Sequence, residues 1–186
     1  ATGSVRQTGR VRTASATFRA AGQAINLTTN GAANNFTGTV NATGTNVQVT
    51  DVNALTVVLA DGGASTLVAG GALVTSGTTT GLLTTTTTGG AGSTTTFGTT
   101  TAGSMHVTST GAASQTGTNL KAGAAVQAGG PGINHTHKRA AEQFTCPGQT
   151  ACTRVQANAV QTAHGGLDRA GGADAGGLGS HARRPD

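Results

Sequence analysis

Between residues 24 and 127 the chain alternates. Apolar or small side chains stand at every second position, with Thr, Asn or Gln between them. In "AINLT", Ile25 and Leu27 point one way and Asn26 and Thr28 the other. In "FTGTVNAT", Phe36, Gly38, Val40 and Ala42 share a face opposite Thr37, Thr39, Asn41 and Thr43. "VQVTD" and "ALTVVL" place Val47 and Val49, then Leu55, Val57 and Leu59, on the inner side. Similar units recur at Leu67, Leu73, Leu82 and Leu83, Phe97, Met105 with Val107, Leu120 and Val126. Turn formers punctuate them, among them Asn30-Gly31, Asp61-Gly62-Gly63 and Gly89-Gly90. Short strands separated by such turns indicate an all-β fold. Helix is disfavoured, because Thr and Gly are poor in helix interiors, whereas β-branched Thr suits a pleated surface.

The side chains available to a core are small. Of 186 residues none is Trp or Tyr, four are Phe and 31 are Gly. A sandwich or α/β domain leans on larger apolar groups. Simple disorder is also disfavoured, because only 9% of residues are charged while 35% are hydrophobic. A stacked β architecture with a narrow core accommodates both facts. Internal similarity points the same way. "SVRQTG" at 4–9 resembles "AASQTG" at 112–117, and "GGALVTSG" at 70–77 resembles "AGSMHVTSTG" at 102–111.

Stacking also explains "TTTTTGGAGSTTTFGTTTAGS" at 84–104. Equivalent positions of successive parallel coils lie about 4.8 Å apart. Threonines there form ladders, each pair contributing roughly 0.2–1 kcal/mol. Alternate threonines then face inward, where the hydroxyl needs a partner. The competing reading of 84–101 is a Thr/Gly linker.

The string "AGQAINLTTNGAANNFTGTVNATGTNVQVTDVNALT" at 21–56, with "GGALVTSG", "TTTTTGGAGSTTTFGTTTAGS" and "MHVTSTGAASQTGTNL", resembles the repeat region of filamentous-haemagglutinin-like exoproteins. These are large bacterial surface adhesins of the two-partner secretion type. The resemblance covers residues 4–127. It implies a right-handed parallel β-helix, exported and displayed on the bacterial cell surface, acting in adhesion. Its expected partners are host-surface carbohydrate or protein and neighbouring repeats of a longer chain. It implies no catalytic, cofactor or metal residues. On this basis we expect a basic lead-in at 1–23, β-solenoid repeats over 24–128, and a low-complexity, poorly ordered tail at 129–186.

Charge follows the same division. Residues 1–19 carry Arg6, Arg10, Arg12 and Arg19 and no acid, for +4. Residues 20–120 hold only Asp51 and Asp61, for −2, and residues 121–186 sum to +3. A nucleic-acid groove needs a basic stripe or stacking aromatics, and the middle has neither. No apolar run approaches the ~20 residues of a membrane-spanning helix.

A search for chemistry yields little. Asp51 and Asp61 could pair for glycoside hydrolysis, but each adjoins a turn and reads as a solvated turn residue. His106, between inward Met105 and Val107, reads as exposed. His135-x-His137 with Cys146 and Cys152 has metal-ligand residue types, yet the spacing is no recurring zinc pattern. A Cys146–Cys152 disulfide or two free thiols are the other readings. N-x-T sequons at Asn26, Asn35, Asn41 and Asn134 are expected by chance in Thr/Asn-rich sequence. Three functions compete: a non-enzymatic adhesin shaft, an ice-binding Thr-rich solenoid, and a polysaccharide-acting β-helix enzyme.

Overall fold

Alternation with frequent Gly favours extended backbone, and the regular elements among the described residues are strands. A computed structural model describes residues 2–29, 33–117 and 124–129, together with the backbone of three further short strands. The strands are β1 (Val5–Arg6), β2 (Arg12–Thr13), β3 (Ala16–Arg19), β4 (Ala24–Leu27), β5 (Asn35–Phe36), β6 (Thr39–Asp51) and β7 (Leu55–Ala69). They continue as β8 (Leu73–Thr87), β9 (Thr95–Ser109), β10 (Ala113–Gln115), β11 (Ala124–Ala128), β12 (Ile133–His135), β13 (Glu142–Thr145) and β14 (Val155–Ala157). All pairings are parallel, and the coils stack into a β-solenoid of about 6 turns.

Each long strand β6–β9 supplies two arms of a coil. The first arm of β6 pairs with β3 and its second arm with β4. Likewise β9 gives its first arm to β10 and its second to β11. Between the arms the register shifts, as at Gly44/Asn46 in β6 and Thr79/Leu82 in β8. Backbones crowd at these corners. A Cβ on Gly63 would sit 1.7 Å from the Thr45 carbonyl oxygen of the preceding coil. Stacked partners lie 18 residues apart at Thr96 and Ser114 but 22 apart at Asn26 and Gln48, so the connecting turns absorb the difference.

Inward side chains form apolar columns one strand spacing apart. One runs Leu27–Val49–Leu67–Thr85–Val107–Val126, and another Val40–Val57–Thr75–Phe97–Gln115. Most of these residues are fully buried. Phe18 and Phe36 meet edge to face at 6.3 Å near the first coils. Fully burying a Val or Leu contributes about 1.5–3 kcal/mol, so a one-residue-wide column suffices when it is long.

The threonine run is strand, and it alternates as the pattern requires. Thr85 and Thr87 are buried while Thr84 and Thr86 lie at the outer side. The inward hydroxyls differ. Thr87 Oγ1 donates to the Ser93 carbonyl at 2.9 Å and accepts from Thr110 N–H at 2.9 Å. The hydroxyl oxygens of Thr75, Thr85 and Thr95 are buried without a partner.

Sequence similarity does not follow the coils. Leu73 of "GGALVTSG" stacks on Thr95, while Met105 of the similar segment stacks on Leu83, in the other arm. Inward apolarity decides stacking, and many sequences satisfy it. The "QTG" likeness has a local cause instead. Gln7 Nε2 donates to the Gly9 carbonyl and Gln115 Nε2 to that of Gly117, at 2.6 and 2.7 Å.

The basic lead-in contributes β1, β2 and β3 to the stack, and its four arginines are all exposed. Within 129–186, strands β12, β13 and β14 pair in parallel with β10, β11 and β12. The rest of the expected tail lies outside the described residues.

Candidate binding face

The outward side chains of the second arms fall into register across the coils. Arg6 stands beside Asn26, then Gln48, Thr66, Thr84 and His106. Two positions along each strand runs a parallel column of Thr50, Val68, Thr86 and Thr108. Steps of about 4.8 Å across the strands and about 6.6 Å along them follow from parallel sheet geometry. The result is a grid of amides and hydroxyls on a rigid support.

One end of the grid is indented. Ser4, Arg6, Ala24, Asn26, Asn46 and Gln48 line a shallow depression of about 220 Å³. Ala24 carries the small side chain where its stacked neighbour carries Asn46, and β1 is only two residues long, which leaves the space open. The amides around it bond in sequence. Thr28 N–H and Oγ1 donate to Asn26 Oδ1 at 3.1 and 2.8 Å. Asn26 Nδ2 donates to Gln48 Oε1 at 3.2 Å, and Gln48 Nε2 to Asn46 Oδ1 at 3.4 Å.

Further along the same strands Asn34 ties three coils together. It is fully buried and donates to the Leu27 and Thr50 carbonyls, both at 3.0 Å. Its Oδ1 accepts from Val11 N–H at 2.9 Å and from Gln7 Nε2. Gln7 is the neighbour of Arg6, so the network fixes the strand from which that guanidinium projects. In "GAANNFTG" nothing local marks Asn34 as a hub.

Asp51 and Asp61 are not solvated; each is 2% exposed. Asp51 accepts from Asn53 N–H at 2.7 Å and from Phe36 N–H at 2.6 Å. Asp61 accepts from Gly63 N–H at 3.0 Å, Val47 N–H at 3.3 Å and Ser65 Oγ at 2.6 Å. Each therefore combines a turn bond two residues ahead with a bond to the backbone of the preceding coil. The turn was legible. The donor from the earlier coil draws the carboxylate inside, where hydrogen bonds to its charged form offset the loss of water. Neither carboxylate opens to solvent.

His106 is exposed between buried Met105 and Val107, as the alternation requires. Of the sequons, Asn41 is exposed, while Asn26 and Asn35 are partly buried. Asn134 lies in β12, of which only the backbone is described. His135 ends the same strand, and His137, Cys146 and Cys152 lie outside the described residues. Among the described residues no group of three or more His, Cys, Asp or Glu could hold a metal ion. No described helix is long and apolar enough to cross a membrane. The residues of the depression escaped the sequence reading because Asn26 and Gln48 are 22 positions apart, and only the coil register joins them.

No protein family, no curated protein and no solved structure matches this chain.

Proposed function

We propose that this chain is a structural and binding segment of the shaft of a secreted bacterial surface adhesin, acting without catalysis on host-surface carbohydrate or protein. The observation that carries the reading is the outward column from Arg6 through Asn26, Gln48, Thr66 and Thr84 to His106, held in register on stacked coils. Closely spaced amides and hydroxyls suit a polyhydroxylated or extended polar ligand through many small contacts. With no Trp or Tyr in the chain, few groups can serve as energetic hot spots, so useful binding comes from multivalency. The test is a glycan array and a cell-adhesion assay with the full chain. Binding that is weak on sparse ligand and rises steeply with ligand density is expected. A folded chain that binds nothing at any density sinks the reading.

The second reading, ice binding, draws on the outward Thr66, Thr84, Thr86 and Thr108. Val68 and His106 interrupt those ranks, which breaks the lattice of hydroxyls such a surface needs. Thermal hysteresis of the purified chain separates the two: the adhesin reading expects none.

A further inference from the structure

We propose that the depression bounded by Arg6, Asn26, Asn46 and Gln48 is an anion site that takes the carboxylate of an acidic sugar. The inference rests on the adhesive reading and names the chemistry of one place on that face.

It follows from the direction of the hydrogen bonds. Thr28 donates to Asn26, Asn26 to Gln48, and Gln48 to Asn46. Asn26 Oδ1 accepts two bonds and is filled, while Gln48 Oε1 and Asn46 Oδ1 each accept one and keep one lone pair. Against those two lone pairs stand four free N–H donors, both hydrogens of Asn46 Nδ2 and one each on Asn26 and Gln48. Arg6 adds the forked donors of an exposed guanidinium at the same rim. A site in which free donors outnumber free acceptors, with a cation beside them, favours an acceptor carrying negative charge.

Nothing nearby opposes that charge. Residues 2–117 contain two acids, Asp51 and Asp61, and both are buried and bonded to backbone N–H groups inside the stack. A carboxylate matches the guanidinium fork with two oxygens in one plane. Further units of an oligosaccharide then lie along the same column, over the hydroxyls of Thr66 and Thr84.

The experiment titrates the full chain with a tetramer of galacturonic acid and with its methyl ester, which keeps the hydroxyls and removes the charge. The acid is expected to bind, with the ester weaker by about tenfold or more. Arg6→Gln is expected to weaken acid binding by about tenfold, and Asn46→Ala to weaken it in the same direction. Arg12→Gln removes an equal charge from the same coil outside the depression and is expected to change binding by less than about twofold. Equal binding of acid and ester overturns the site, as does an Arg12→Gln loss equal to that of Arg6→Gln. If arrayed neutral glycans still bind in either case, the adhesive reading survives and this site alone falls. If neither array nor acid binds, both fall.

Discussion

Gln7 and Asn34 form a reciprocal amide pair inside the stack: Gln7 Nε2 donates to Asn34 Oδ1, and Asn34 Nδ2 returns a bond to Gln7 Oε1 at 3.1 Å. They are 27 residues apart, and the pair joins the first coil to the turn that leads into the third. Each amide also bonds backbone, so the two residues act as one clamp at the basic end of the solenoid.

Removing that clamp is costly. Asn34→Ala leaves the Gln7 amide, the Val11 N–H and the Leu27 and Thr50 carbonyls short of a partner. An unsatisfied buried polar group costs about 1–3 kcal/mol, so a loss of at least about 3 kcal/mol is expected in urea unfolding followed by circular dichroism. Amide hydrogen exchange should accelerate first in residues 5–19. A loss below about 1 kcal/mol contradicts the hub assignment.

Two threonines of one run respond in opposite directions. Thr85→Val removes a buried hydroxyl that has no partner and keeps the shape of the side chain, so stability rises by about 1 kcal/mol. Thr87→Val removes the donor to Ser93 and the acceptor for Thr110 N–H, so stability falls by about 1–3 kcal/mol. Melting temperatures of the two variants, measured side by side, check the sign. If both shift alike, the inward hydroxyls are not differentiated as described.

The buried acids hold coils to one another. Asp61→Asn keeps the volume but removes the charge that strengthens its bonds from Val47, Gly63 and Ser65, and it can turn an N–H toward a donor. A loss of about 1.5–3 kcal/mol is expected from denaturant midpoints, with Asp51→Asn similar. A neutral outcome at both sites means that these carboxylates do not staple the stack.

Gly77 cannot carry a side chain. Its φ is 98°, and a Cβ there would lie 2.0 Å from the Leu59 carbonyl oxygen, backbone that cannot yield. Gly77→Ala should cost upwards of about 2 kcal/mol, since the left-handed region alone costs roughly 1–2 kcal/mol for an L-residue. Gly90→Ala, whose Cβ would meet nothing within 4 Å, should leave the thermal midpoint close to wild type. The contrast between the two is the measurement.

Over the described part of 24–127, outside which Leu120 falls, the alternation was sufficient for strand, for the inward face, and for the exposure of His106 between Met105 and Val107, because a period of two is a property of neighbouring residues. The turn half of each Asp site was legible for the same reason, Asn53 and Gly63 being two positions on. The other half was not. Phe36 and Val47 donate from 15 and 14 residues earlier, and only the coil length brings them to Asp51 and Asp61.

An all-β stack with a thin aliphatic interior was legible in the residues alone, since small alternating side chains allow little else to be buried. That the central strands run 13–15 residues and turn a corner was not. Which residues stand side by side was settled by the packing of the coils. Coil lengths vary between turns, so the register that sets Arg6 beside Asn26 and Gln48, leaves Thr85 unpaired and gives Thr87 its partners is a sum over many residues, with no trace at any one of them.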